Sequence, residues 1–139
     1  MVSDIDRRFV EPAGVGKPLG LYSHVVTVRP GRLAFIAGQV AVDEGGNTVG
    51  LGDLPAQTRQ VFQNLERVLQ SVGATFDNVV KFTTYIVRGQ RVEEFVEGRK
   101  DIFSRIFPDG EYPPNTLLFI DRLVHEDLVI EIEAVAALP

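Results

Sequence analysis

The sequence predicts a single α/β domain in which two amphipathic helices cover one face of a mixed sheet of about six strands. Three observations point there. Hydrophobic patterns along the chain run strands, helix, strand, helix, strands, and no linker, repeat or low-complexity segment marks a second domain. The 139 residues suffice for one sizeable core, and 45% hydrophobic with 24% charged residues is ordinary for a globular protein. Two helices cover one face of such a sheet, and a strand that follows a helix returns beside an earlier strand by a right-handed crossover.

The whole of residues 1–139 belongs to this domain, with residues 1–20 expected as a loose arm because they are rich in Pro and Gly. "YSHVVTVRPGRLAFIAGQVAVDEGGN" reads as strand, turn, strand, with β-branched Val25, Val26 and Val28 before the reversal at Pro30-Gly31. Gly38, in the middle of the second strand, marks a bulge or a backbone that something approaches closely. Asp53 is placed to cap a helix with Pro55 in its first turn, and Val61, Phe62, Leu65, Val68, Leu69 and Val72 recur at helical spacing up to Gly73. "NVVKFTTYIV" is strand-like. A second helix from about Arg91 to Phe107 carries the stripe Val92, Phe95, Val96, Phe103, Ile106 and Phe107, weakened by Gly98. "NTLLFID" is almost continuously apolar, and "LVIEIEAVAAL" alternates Ile130, Ile132 and Ala134 against Glu131 and Glu133.

Composition excludes several classes of function. The absence of cysteine removes disulfides, thiolate metal sites and cysteine nucleophiles. His24 and His125 are the only imidazoles and have no metal-ligand spacing, so neither a metal nor a cofactor is expected. Ser23, Ser71 and Ser104 lack a nucleophile-elbow context. No apolar run approaches the roughly 18–20 residues of a membrane span, and the polar start has no signal-peptide core, so a cytoplasmic protein without membrane contact is expected. A formal net charge of −5 without a Lys/Arg cluster argues against nucleic acid as a partner.

"EYPPNTLLFI" is the most suggestive stretch. Pro113 and Pro114 make a stiff, non-helical lead-in to Asn115 and Thr116 at the start of an apolar strand. Leu117, Phe119, Tyr85 and Val87 supply apolar area beyond what two helices are expected to cover. An uncovered apolar sheet face calls for a partner, most simply further copies of this chain.

Several segments together resemble the RidA family, also called YjgF/YER057c/UK114. They are "GQV" after a strand, "QTRQVFQNLERVLQSVGATFDNVVKFTTYIV", "YPPNTLLF" and the terminal "IEIEAVAAL", in order from about Gly20 to Leu138. The resemblance implies a chorismate-mutase-like α/β fold, a homotrimer and small-molecule clefts between subunits. It implies hydrolysis of reactive enamines or imines to keto acids and ammonia. In that family an arginine grips the substrate carboxylate, and Asn115 stands at its position here. A charged bidentate grip is therefore absent at that point, and simple 2-imino acids are expected to be poor substrates. By the same resemblance Tyr22, Ala37, Gly38, Asn115, Thr116 and Leu117 line the cleft, and Glu131 holds the hydrolytic water. An arginine introduced at position 115 is expected to restore some activity.

Read from spacing alone, each of these residues has a second role open to it. Glu131 is either a general acid/base or a carboxylate on a solvated strand face. Tyr22 is a cleft wall or a half-buried aromatic. Asn115 binds ligand or bonds its own backbone after the prolines. Three functions remain: a divergent hydrolase of an imine, enamine or related metabolite, a non-catalytic small-metabolite binder, and, least favoured by charge, an endoribonuclease or translation inhibitor.

Overall fold

The computed structural model describes residues 5–139. Its strands are β1 (Asp6–Val10), β2 (Val25–Arg29), β3 (Arg32–Val40), β4 (Val79–Val87), β5 (Asn115–Ile120) and β6 (Ile130–Leu138), and its helices are α1 (Leu54–Ser71) and α2 (Val92–Ile106). The fold is the expected mixed α/β domain with two helices. β3, β6, β4 and β5 lie side by side in that order, with β4 and β5 parallel and the other pairs antiparallel. α2 is the crossover that makes the parallel pair.

The arm differs from the expectation. Residues 1–4 lie outside the described residues, but Asp6–Val10 is a strand, paired antiparallel with β2 as a separate ribbon. Charge conceals it in the sequence: Arg7 donates to the Asp77 carbonyl and lies within ion-pair reach of Asp77 and Glu111. Pro30-Gly31 reverses the chain as read, yet β2 and β3 do not pair. Gly31 N–H donates to the Leu138 carbonyl at 2.8 Å, and β3 runs along β6.

α1 starts and stops where its sequence says. The Asp53 carboxylate accepts from Ala56 N–H at 2.9 Å. At the other end Ala74 N–H reaches the Leu69 carbonyl and Gly73 N–H the Gln70 carbonyl, with Gly73 at φ 74°. This is a Schellman cap, which requires the left-handed conformation that glycine takes without strain. Gln57 and Asn64, on the same helix, pin the loops above the sheet. Gln57 bonds Gly50, Asp127 and Val129, and Asn64 bonds the carbonyls of Val40 and Val42.

The core sits between helices and sheet. Phe62, Phe76, Phe82, Phe103 and Phe107 meet at centroid distances of 5.1 to 6.4 Å, most of them edge to face. Such pairs add about 0.5–1.5 kcal/mol each beyond the area they bury. The buried stripe of α2 is rotated from the expected one. Phe95, Gly98, Arg99, Phe103 and Ile106 are buried, whereas Val92 and Val96 are exposed. Gly98 sets this rotation by letting α2 lie directly on the start of α1.

Each strand divides its residues between two faces. Phe82, Thr84 and Ile86 of β4 and Ile130, Ile132 and Ala134 of β6 face the helices. Register places Asn115 and Leu117 with them, opposite Phe82 and Thr84. Leu117 therefore packs against the core, which corrects the expectation that it adds to an uncovered face. The other face carries Glu131, Glu133, Lys81, Thr83, Tyr85, Thr116 and Leu118, together with Leu33 and Phe35 of β3. Phe35 is 77% exposed there. Among the described residues no helix is long and apolar enough to cross a membrane.

Candidate functional site

Glu131 and Gly38 meet at the bulge in β3. The β3–β6 register shifts between Ile36 and Gln39, so the backbone at Gly38 turns onto the Glu131 side chain. A β-carbon at position 38 would stand 1.9 Å from Glu131 Oε2, 2.6 Å from Cδ and 2.7 Å from Cγ. Only glycine lets the carboxylate lie flat against this strand. Both sequence readings of Gly38, bulge and close approach, hold together. Ala37 beside it is exposed, and its carbonyl accepts from Gln39 Nε2 at 3.1 Å.

On the same face Tyr85 stands opposite Glu131 in register, and its hydroxyl donates to Glu133 Oε1. Burial, and then the neighbouring charge of Glu133, push the Glu131 carboxyl above its ordinary value. The Tyr85 phenol is raised as well, first by its hydrogen bond to Glu133 and then by burial. The result is a cluster of two carboxyls and a phenol on the solvent side of the sheet, in which Glu131 and Tyr85 hold their protons more tightly than usual. Thr116 shares this face, where Lys81 Nζ donates to its Oγ1 at 2.6 Å.

The remaining candidates are elsewhere. Asn115 Oδ1 accepts from Thr84 Oγ1 at 2.9 Å, on the helix side of the sheet. It bonds a neighbouring strand rather than its own backbone. Leu117 follows it into the core. Tyr22 lies in the loop before β2, where its hydroxyl accepts from Leu19 N–H at 3.2 Å and its ring meets His24 edge-on. It borders a pocket with Phe9, Pro18, His24 and Tyr112, and Ser23 N–H reaches the Pro113 carbonyl at 3.5 Å. One chain thus joins Gly38, Ala37 and Glu131 on one sheet face, and Tyr22 and Asn115 near the Pro113 turn on the other side.

Sequence reading counted Tyr85 only as apolar area, without its hydroxyl, and passed over Arg99. Arg99 is buried on α2 beside Asn115. Its signal was available: it falls four residues after Phe95 and four before Phe103, inside the apolar stripe. Among the described residues no group of three or more His, Cys, Asp or Glu gathers as metal ligands would.

Comparison with known proteins gives a consistent picture. The family model described as endoribonuclease L-PSP matches residues 15–138. A RutC family protein of Pyrococcus abyssi is 32% identical over 120 residues, 86% of this chain and 88% of that protein. The crystal structure of YyfB, a Rid family protein of Yersinia pestis, superposes with a TM-score of 0.83 at 35% identity, covering 94% of this chain and 98% of the other. Rv2704 of Mycobacterium tuberculosis, from the YjgF/YER057c/UK114 family, gives a TM-score of 0.60 at 26% identity over 95% and 99% of the two chains.

Proposed function

From the premise that the chain belongs to the RidA/YjgF family, the one whose model is described as endoribonuclease L-PSP, we propose that it hydrolyses an imine, enamine or related reactive metabolite in a cleft completed by neighbouring copies of the chain. The single observation that carries this reading is Glu131, half-buried against Gly38 with its carboxyl raised above the ordinary value. A carboxylate whose proton affinity is moved toward working pH is suited to take a proton from water as it attacks. Water adds to the C=N carbon while Glu131 Oε2 accepts its proton. The same carboxyl returns that proton to nitrogen, giving a carbinolamine; it then takes the proton of the new hydroxyl and delivers it to nitrogen as the C–N bond breaks, and the products are a carbonyl compound and ammonia.

The cleft needs other copies of the chain. Leu33, Phe35 and Leu118 are exposed on the face that holds Glu131, and covering them in a homotrimer excludes water from the cluster. Light scattering coupled to size exclusion is expected to give about three chain masses at micromolar concentration. A monomer would overturn the intersubunit cleft.

The activity test supplies imines made in place by an amino-acid oxidase and reads keto acid and ammonia. Product formation that falls by about a hundredfold or more in Glu131→Gln supports the hydrolase, within the range that general acid–base groups contribute. A second reading, a binding module without chemistry, is favoured by the position of Asn115 and Leu117 on the sheet face opposite Glu131. Saturable metabolite binding with no product would select it. The ribonuclease suggested by the family description draws no support from a net charge of −5.

A further inference from the structure

Tyr85 reaches both carboxylates of β6. It stands opposite Glu131 in the β4–β6 register, yet its hydroxyl runs diagonally along the face and donates to Glu133, two residues further on. Diagonal neighbours on a sheet lie within reach of an aromatic side chain. Glu131 is seated from the other side, against Gly38 of β3. Each carboxylate thus leans on a neighbouring strand, one on β3 and the other on β4. Among the described residues no ion pair involves either glutamate. Two like charges on one strand face repel. A glutamate side chain has the rotamer freedom to relieve that repulsion by swinging into water. The Tyr85 hydroxyl opposes this swing in Glu133.

The other strands bring little charge to this pair. β3 contributes Gly38, Leu33 and Phe35, and β5 contributes Thr116 and Leu118. Among the described residues of these strands, Lys81 of β4 is the one cation on this face. Its Nζ donates to Thr116, and register sets Lys81 opposite Val135, on the far side of Glu133 from Glu131. Glu133 is therefore the charge that Glu131 meets first. The raised Glu131 carboxyl, owed to burial and then to Glu133, agrees with a Glu133 that is kept close. The hydrolysis asks Glu131 both to take a proton and to deliver one. A carboxyl that ionises beside a fixed negative charge keeps its proton to higher pH, and so serves as an acid where an isolated carboxyl has already ionised.

We propose that Tyr85 is a positioning residue: it anchors Glu133 beside Glu131 and so assigns the mobile proton of the pair to Glu131. The catalytic meaning of this rests on the hydrolytic reading, whereas the anchoring does not. The test follows the ¹³C-labelled Glu131 carboxyl by NMR titration in wild type, Tyr85→Phe, Glu133→Gln and the double variant. Phenylalanine keeps the ring and loses only the hydroxyl. The Glu131 midpoint is expected to move to lower pH in each single variant. The double variant is expected to go no lower than Glu133→Gln, because Tyr85 acts through Glu133. An unmoved midpoint in Tyr85→Phe, or a further fall in the double variant, overturns the proposal. Should Tyr85→Phe fail to fold, Glu133→Gln decides: a lowered Glu131 midpoint supports the proposal and an unmoved one overturns it. The pH profile of kcat/KM for imine hydrolysis is expected to move to lower pH in Tyr85→Phe, in step with the titration. Titrations that move in a protein without turnover uphold the anchoring and overturn the hydrolase. Turnover with an unmoved titration and an unmoved profile overturns the anchoring and leaves the hydrolase standing.

Discussion

The Glu131 carboxylate lies on the bare backbone of Gly38, in space that a β-carbon would occupy. Gly38→Ala therefore has to move the whole Glu131 side chain, since Cγ and Cδ as well as Oε2 are in the way. We expect a loss of about 1–3 kcal/mol in urea unfolding, the usual cost of overpacking. Glu131, driven toward solvent, should titrate closer to an ordinary carboxyl in NMR. An unchanged titration would show that the contact does not set the proton affinity of Glu131.

The raised Glu131 carboxyl also has a consequence for stability. The folded chain holds this proton more tightly than the unfolded chain, so stability falls as pH rises from the ordinary carboxyl value of 4.5 through the raised one. Above that interval the penalty of the ionised form is fully present. Glu131→Gln removes it. The melting temperature of the variant should gain on wild type as pH rises above the ordinary carboxyl value of 4.5, and the gain should disappear at the acidic end. A difference that does not vary with pH would contradict the assignment.

Asn115→Arg brings a second guanidinium to the cavity that already holds Arg99. Sequence alone favours a gain, because arginine would refill a position the family uses for carboxylate binding. The bond to Thr84 and the presence of Arg99 argue for the opposite. We expect a loss of about 1–3 kcal/mol from crowding and no gain in imine turnover. Adding Arg99→Met should recover part of that stability, since the two cations are then reduced to one. Full stability in the single variant, with higher turnover, would show that position 115 faces the Glu131 cleft in the assembled protein.

Gly98→Ala sets two effects against each other. Alanine favours a helix over glycine by about 1 kcal/mol. A β-carbon at position 98, however, would stand 2.8 Å from Pro55 Cα and 2.9 Å from the Pro55 carbonyl oxygen. Backbone atoms do not swing aside as a side-chain tip does, so α2 has to shift from α1. The overlap outweighs the propensity, and chemical denaturation should show a net loss of about 1–2 kcal/mol. A stabilised variant would mean that the helix crossing is more compliant than its packing implies.

Periodicity made the two helices and the core strands legible. Asp53 and Gly73 bracketed α1 because capping depends on local chemistry. β1 was not legible, because Arg7 anchors it through carboxylates and a carbonyl distant in sequence. The family resemblance named Gly38 and Glu131, and their contact explains why both residue types are needed together. Asn115 stood out in the sequence after Pro113 and Pro114, but its face depended on the β4–β5 register, which period-two patterning in a continuous apolar run does not supply. Arg99 was hidden by the habit of reading a charge in a helix as solvated.

Thr84 and Tyr85 are consecutive residues of β4, and their hydroxyls reach in opposite directions, one to Asn115 and the other to Glu133. A single peptide unit is therefore the partition between the Arg99 cavity and the Glu131 cluster. Whatever tilts that peptide to suit an occupant on one side re-aims a hydroxyl on the other. The amide of Tyr85 is the natural reporter for both: its resonance registers events in either compartment, although no ligand need touch it.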